Sequence, residues 1–305
     1  MMKVGEALSL GRARLQCVKI DEAQTECEHM LMKLLNVTRS VLHYDLYLLA
    51  SEPLAQTAKS SLTAEQEKQF FNWIESREKR IPLVYLLGDA FFYSLKLKVG
   101  PGCLIPRPET EKLVEEANLV LRSDSIQRPR VLDIGTGSGA IALAILLDFP
   151  EGQATLVDFS EEALEIAREN AKELGFSNRV EFIFSDLFSN ILQESKFDLI
   201  VSNPPYLTKA DLSDLQPEVS FEPRMALDGG QDGLDFYRRI IPEAKFFLKP
   251  RGWLGFEVGA GQSVAVCEDL ERHGYKDLRV FCDHQGIERI VLCRLGAGFR
   301  PAVGT

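Results

Sequence analysis

The stretch Val131-Leu132-Asp133-Ile134-Gly135-Thr136-Gly137-Ser138-Gly139-Ala140 constrains this chain most. A short apolar strand runs into three closely spaced glycines, and the apolar run from Ala140 to Leu147 follows at once. Strand, glycine turn and helix in immediate succession make the opening unit of a doubly wound sheet, whose turn faces a ligand. The chain beyond keeps alternating. Strands are expected at 130–134, 154–158, 180–184, 197–202, 252–258, 278–282 and 288–294, and helices near 139–148, 161–174, 233–248 and 261–273. Asp283-His284-Gln285-Gly286, between the last two strands, is too short for a parallel crossover. Those strands are therefore expected to pair antiparallel, giving seven strands with one reversed.

Gly135, Gly137 and Ala140 fit the dinucleotide fingerprint, and Asp158 lies 23 positions beyond Gly135, near the spacing of a ribose-binding acid. The glycines thus leave NAD open. Asp133 argues for S-adenosylmethionine, because a carboxylate before the turn suits a ligand carrying a sulfonium and an ammonium better than a pyrophosphate. Asp158 ends the second strand, where its two oxygens can take both ribose hydroxyls. Asp186 follows the third strand, placed to accept from the adenine amino group while Leu187 packs on the ring. Each acid alone reads equally well as a helix cap. Their fall at successive strand ends of one sheet favours a shared ligand.

Asn203-Pro204-Pro205-Tyr206 follows the apolar run Phe197 to Ser202. Two prolines lack the N–H that a ladder needs, so the strand stops there. The Asn203 side-chain carbonyl and the Pro204 carbonyl can each accept one hydrogen of a planar amino group, with Tyr206 covering its flat face. Such a pair orients a nitrogen whose lone pair is delocalised, an amide or a nucleobase amine, and favours the charge that develops as it attacks. A turn that merely ends a strand is the ordinary alternative.

With 305 residues, two domains are the default. From Val4 to about Tyr85 the pattern is helical: Leu31, Leu34 and Leu35, then Leu42, Leu46 and Leu49, recur at helical spacing, and Thr63-Ala64-Glu65-Gln66 reads as a capping box. Phe91 to Leu97 and Val99 to Leu104, broken by Gly100-Pro101-Gly102, read as a hairpin between the domains. Ile105-Pro106-Arg107-Pro108-Glu109-Thr110-Glu111 then starts a helix, and Arg107 and Glu109 are placed to rim a substrate channel. The net charge is −10, and residues 1–90 carry 11 Lys and Arg against 12 Asp and Glu, so the excess acidity belongs to the second domain. That balance argues against nonspecific nucleic-acid binding. Six scattered cysteines without a CxxC pair, and four histidines away from ligand spacing, give no expected metal. A reduced cytoplasmic protein is expected, with no signal peptide and no membrane span.

Tyr85-Leu86-Leu87-Gly88, the segment from Ile105 to Glu111, Asp133 to Gly139, Asn203 to Tyr206, Phe221-Glu222-Pro223, Ala226-Leu227, Asp232-Gly233-Leu234 and Glu288-Arg289 together resemble the PrmC (HemK) family of protein-glutamine N5-methyltransferases. The resemblance implies an α/β class I S-adenosylmethionine-dependent methyltransferase sheet, Rossmann-like with its last strand antiparallel, behind a small all-helical domain. It implies a helical substrate-recognition domain over 1–85, a hairpin linker over 86–105, a catalytic domain over 106–296 and a flexible tail over 297–305. S-adenosyl-L-methionine is the implied cofactor, held by Asp133, Gly135, Thr136, Gly137, Ser138, Gly139, Asp158, Asp186, Leu187 and Asn203. Class I peptide chain release factors are the implied partners, methylated on the glutamine of their Gly-Gly-Gln motif. Asn203, Pro204 and Tyr206 would be catalytic; Pro205, Arg107 and Glu109 would join them in binding substrate. Leu187 stands where some relatives carry an aromatic ring, which weakens stacking there. This chain's own Gly229-Gly230-Gln231 spells the substrate motif within a loop, read as coincidence. The rival readings are a glutamine on another translation protein, a nucleobase amine, or a noncatalytic adenosine-ligand sensor.

Overall fold

Leu199 and Val201 face one apolar core while Ile200 between them faces another, because successive residues of a strand point to opposite sides. A strand buried on both sides belongs inside a parallel sheet covered by helices. In the computed structural model, residues 1–43 and 61–296 are described. The helical part holds α1 (Val4–Cys17), α2 (Ala23–Leu35), α3 (Ala64–Glu78) and α4 (Leu83–Leu87), with residues 39–43 also helical. Next come β1 (Asp89–Phe92), β2 (Leu95–Lys98), α5 (Pro108–Ser123), β3 (Arg130–Ile134), α6 (Ala140–Asp148), β4 (Gln153–Asp158), α7 (Glu161–Glu173) and β5 (Val180–Phe184). The chain continues through β6 (Phe197–Ser202), α8 (Asp235–Ala244), β7 (Leu248–Glu257), α9 (Ser263–Arg272), β8 (Tyr275–Cys282) and β9 (Glu288–Leu295).

Seven of these strands form one sheet in the order β5-β4-β3-β6-β7-β9-β8. Only β9 runs against its neighbours, pairing antiparallel with both β7 and β8, so the reversed last strand is as expected. The chain winds from β3 outward through β4 and β5, then returns to lay β6 on the other side of β3. Crossovers diverge at the β3/β6 pair, which opens a crevice at the strands' carboxyl ends. Helices α5 and α6 cover one face through Leu113, Leu121, Ile141 and Leu146, packed with Trp253. On the other face α8 and α9 bring Tyr237, Ile241 and Leu270 against Leu254 and Phe256.

Four boundaries differ from expectation: β8 begins at Tyr275 rather than 278, α8 ends at Ala244 rather than near 248, and the hairpin and β7 depart more. The hairpin turns at Tyr93-Ser94, with Tyr93 at φ 57°, and pairs Asp89–Phe92 with Leu95–Lys98. The run Phe91 to Leu97 is therefore both arms rather than one strand, because Phe92, Leu95 and Leu97 all bury on one side while Tyr93 and Ser94 make the bend. Gly100-Pro101-Gly102 is a separate turn. The fifth strand of the sheet begins at Leu248, not near residue 252, since a register shift against β6 lets the Pro250-Arg251-Gly252 bend sit within it.

Met1–Gly88 and Pro217–Phe221 form one compact unit; Asp89–Gln216 and the chain from Glu222 onward form the other. In the first, Leu15, Met30, Leu31, Leu42, Phe70 and Ile74 make the core. The capping box is present: Gln66 N donates to Thr63 Oγ1 at 3.1 Å and Thr63 N donates to Gln66 Oε1 at 3.0 Å. Arg77 is buried and donates to Glu26 and to Glu218. Leu46, Leu49 and the tail from 297 lie outside the described residues.

Candidate active site

Three glycines give the turn after β3 its shape. Gly135, Gly137 and Gly139 take φ values of 70°, 55° and 83°, the left-handed region that side chains disfavour. Nothing lies within 4 Å of where a Cβ on Gly135 or Gly137 would project, so these two edge an open hollow. At Gly139 a Cβ would press on Leu143, Leu156 and Ala167, and the missing side chain instead lets α6 and α7 close on the sheet.

The hollow is a cavity of about 500 Å³ at the carboxyl ends of β3, β4, β5 and β6, within the range of small-molecule sites. Of the expected cofactor residues, Gly135, Gly137, Asp158, Asp186, Leu187 and Asn203 line it. Asp158 Oδ2 accepts from Gly137 N at 2.8 Å and its Oδ1 from Ser160 N at 2.9 Å. Burial raises its pKa against those N–H groups, which favour the charged form. Leu187 is buried and holds φ 52°, an uncommon conformation for a branched side chain at a ligand wall. Asp186 is exposed, and Arg239 Nη2 donates to both its oxygens at 2.7 Å. Its carboxylate therefore meets any ligand already neutralised.

Asp133, Thr136, Ser138 and Gly139 are not in the lining. Asp133 is fully buried, its Oδ2 accepting from Thr136 Oγ1 at 2.7 Å and from Ala142 N at 3.2 Å. Desolvation pushes its pKa up to about 7. Thr136, Ser138 and Gly139 belong to the turn itself, and Asp133 stands behind it and holds it. Asp133 Oδ1 alone among them is left without a partner, and an unpaired buried carboxylate oxygen beside a small-molecule cavity suits a cationic ligand.

At the end of β6, Ser202 Oγ donates to Ile134 O at 2.7 Å, tying the strand to β3. Asn203, Pro204 and Pro205 then line the cavity, whereas Tyr206 does not. The Tyr206 ring packs on the apolar core, and burial pushes its phenol up to about 12. Its carbonyl accepts from Gln262 Nε2 at 2.9 Å, while Gly259 N donates to Gln262 Oε1 at 2.9 Å. The chain returns beside this loop: Leu207 N donates to Leu227 O, and Gly229 N to Leu207 O. A Cβ at Gly229 would lie 2.7 Å from both Pro205 O and Tyr206 Cα. The close approach holds the two prolines in place.

Arg107 and Glu109 are also outside the lining. Arg107 donates to Glu222, whose other oxygen accepts from Ile105 N at 3.0 Å. The guanidinium thus anchors the returning loop rather than presenting itself to the cavity.

Behind Asn203 stands a group that the residue patterns did not single out. Asn203 Nδ2 donates to Thr110 Oγ1 at 3.2 Å, and Thr110 Oγ1 donates to Glu257 Oε2 at 2.5 Å. Glu257 ends β7 and is 1% exposed. An acid inside the apolar run Trp253 to Val258 was the available signal. Phe159, next to Asp158, lines the cavity and stacks on Phe184 with centroids 5.5 Å apart. Pro223, Met225 and Ala226 of the returning loop complete an apolar side. Among the described residues no group of three or more His, Cys, Asp or Glu could hold a metal ion, and no helix is long and apolar enough to cross a membrane.

A seven-stranded sheet with one reversed strand, and a cavity built on its glycine turn, define a class I S-adenosylmethionine-dependent methyltransferase. Residues 127–254 match a family model described as a methyltransferase domain, and residues 6–88 match the PrmC N-terminal domain. The release factor glutamine methyltransferase of Geobacter sulfurreducens is 42% identical over 278 residues, covering 91% of each chain. That of Moorella thermoacetica is 38% identical over 293 residues, covering 95% of this chain and 98% of its own. Among solved structures, the hMettl16 catalytic domain in complex with a MAT2A 3′UTR hairpin shares the fold, with a TM-score of 0.54 and 15% identity, over 84% of this chain and 93% of its own. The chain belongs to the family of release factor glutamine methyltransferases, S-adenosylmethionine-dependent enzymes that methylate N5 of a protein glutamine.

Proposed function

We propose that this chain methylates the side-chain amide of the glutamine in the Gly-Gly-Gln motif of class I peptide chain release factors, in the cytoplasm. The observation that carries the reading is Asn203: a side-chain amide at the end of β6, followed by two prolines, lining the same cavity as Gly135, Gly137 and Asp158. Those cavity residues fit an adenosine ligand. Asp158 can take the ribose hydroxyls with its remaining lone pairs, Leu187 gives an apolar surface and Phe159 an aromatic face for the base, and the turn between Gly135 and Gly139 leaves room for the amino-acid end. The bound cofactor supplies a methyl group on a sulfonium, which leaves as a neutral thioether.

The protein's own work is to bind, orient and keep water out. The Asn203 side-chain oxygen and the Pro204 carbonyl each accept one hydrogen of the target amide, aiming its nitrogen down the cavity. Positive charge developing on that nitrogen as it takes the methyl group would be stabilised by the two acceptors. After transfer one amide proton is lost to bulk solvent, since the methylated amide is neutral. No strong base is required. Pro205 and the apolar side at Met225 shield the reacting atoms. The helical unit supplies recognition of the protein substrate, and the net charge of −10 disfavours a nucleic-acid substrate.

Asn203→Ala tests the reading. Turnover on an unmethylated release factor should fall at least ~100-fold, as when one preorganised polar contact is lost, with the affinity for S-adenosylmethionine by calorimetry falling much less. Near-normal turnover would remove Asn203 from the chemistry.

A further inference from the structure

An apolar strand that ends in a buried carboxylate needs a reason, because an unpaired charge out of water costs several kcal/mol. Glu257 ends β7, which pairs with β6 one residue earlier, Phe256 opposite Ser202. The carboxylate therefore lies beside Asn203 in the sheet. It is met from α5 by Thr110, which donates to it, and by the charge of Glu109, and the Asn203 side chain also hydrogen-bonds it directly from the end of β6. Arg289 of β9 attracts it, although that guanidinium also pairs with Asp283. From α8, Tyr237 donates its hydroxyl to the Glu257 carbonyl at 2.8 Å, fixing the strand end. The charges of Glu257 and Tyr206 also act on each other.

Thr110 has one hydroxyl hydrogen, and Glu257 takes it. Toward Asn203, Thr110 Oγ1 can then offer only lone pairs. An Asn203 oxygen turned that way would face acceptor with acceptor, so the NH2 group must point there, as observed. We infer that Glu257, acting directly and through Thr110, fixes the Asn203 amide with its oxygen toward the cavity, and that both are positioning residues for methyl transfer. This rests on the reading of Asn203 as the acceptor for the target amide. A flipped Asn203 would present two donors to an amide that itself offers two donors, and the nitrogen would lose its guide.

A glutamine at 257 reverses the logic. Its own NH2 can donate to Thr110, whose hydrogen is then released to an Asn203 oxygen, and the wrong orientation becomes satisfied. Protonation does the same, since a carboxylic acid also donates. Burial pushes the Glu257 carboxyl up to about 7, which puts that change within reach of a pH series.

The test compares wild type, Glu257→Gln, Thr110→Val and Thr110→Ser at saturating S-adenosylmethionine, with release factor as substrate. Glu257→Gln and Thr110→Val should each lower kcat about 10-fold, the size of one hydrogen bond to a charged group, while Kd for the cofactor by calorimetry stays within about 3-fold of wild type. Thr110→Ser, which keeps the hydroxyl, should recover most of the rate. In wild type, kcat should fall as pH drops through neutrality, and in Glu257→Gln that acidic limb should be gone. Full activity in Glu257→Gln, the same pH profile in both proteins, or Thr110→Ser no better than Thr110→Val would overturn the inference. Should Glu257→Gln fail to bind cofactor, the two Thr110 variants decide. A wild-type protein inert toward release factor would instead overturn the functional reading itself.

Discussion

Asp158 divides its work between two oxygens, one held by Gly137 N and one by Ser160 N. Both bonds stiffen the carboxylate where ribose hydroxyls would meet it. Asp158→Ala should therefore raise Kd for S-adenosylmethionine roughly 10- to 100-fold, the value of a hydrogen bond to a charged group, and lower kcat less. Unchanged binding by calorimetry would count against a ribose role. That acids gather at successive strand ends was legible in the sequence, because strand alternation and residue spacing are local properties. Which atoms face the ligand was not. Asp133 reads as a ligand contact in one dimension; in the fold its Oδ2 braces Thr136 and Ala142 while its Oδ1 is left without a partner. Arg107 finds Glu222, 115 positions on, and Tyr206 turns its ring into the core. Side-chain direction is set by neighbours that are distant in sequence.

Among the elements, the returning loop between β6 and α8 does the most for the site. Gly229 approaches the Pro205-Tyr206 backbone so closely that a methyl group would displace main chain rather than a yielding side-chain tip. Gly229→Ala should cost about 1–3 kcal/mol of stability, as overpacking does, measured by urea unfolding, and should slow turnover through the displaced prolines. Stability and rate both at wild-type level would mean that the loop does not hold the catalytic turn. In the sequence, Gly233 belongs to the family resemblance, while Gly229 and Gly230 stand out only through a coincidental likeness to the substrate motif. Their close packing shows what they do for the fold, which a one-dimensional motif cannot reveal. Boundaries were also less legible than elements. Pro250 and Gly252 look like a turn, and only the shifted pairing with β6 allows the strand to run through them.

For the whole molecule, Asp133 and Glu257 share a consequence. Burial raises each carboxyl to about 7 in the folded state, above its ordinary value of 3.8 or 4.5. Between about pH 4.5 and 7 the folded protein then holds protons that the unfolded chain has released, so these two groups make stability fall as pH rises across that window. Glu257→Gln should flatten this slope, recovering roughly 2 kcal/mol of the difference between pH 5 and pH 8 in urea unfolding. Identical slopes in variant and wild type would show that the carboxyl is not held protonated by burial. Lowered carboxylates elsewhere, such as Asp124 beside Arg294 and Trp253, act in the opposite sense and lose their contribution in acid. The two-part division, a helical unit and a sheet with one reversed strand, was legible because hydrophobic period and loop length decide it. That Pro217–Phe221 sit with the helical unit was not, since chain order gives no hint of it.

The cavity on the glycine turn is proposed to deliver a methyl group to one protein amide. The purified protein should be incubated with methyl-labelled S-adenosylmethionine and, separately, an unmethylated class I release factor, the same factor with Gly-Gly-Gln changed to Gly-Gly-Ala, and duplex DNA. Label on the intact factor alone is the predicted result. Label on the altered factor would place the acceptor elsewhere, and label on DNA, or on nothing while the cofactor binds, would contradict the account.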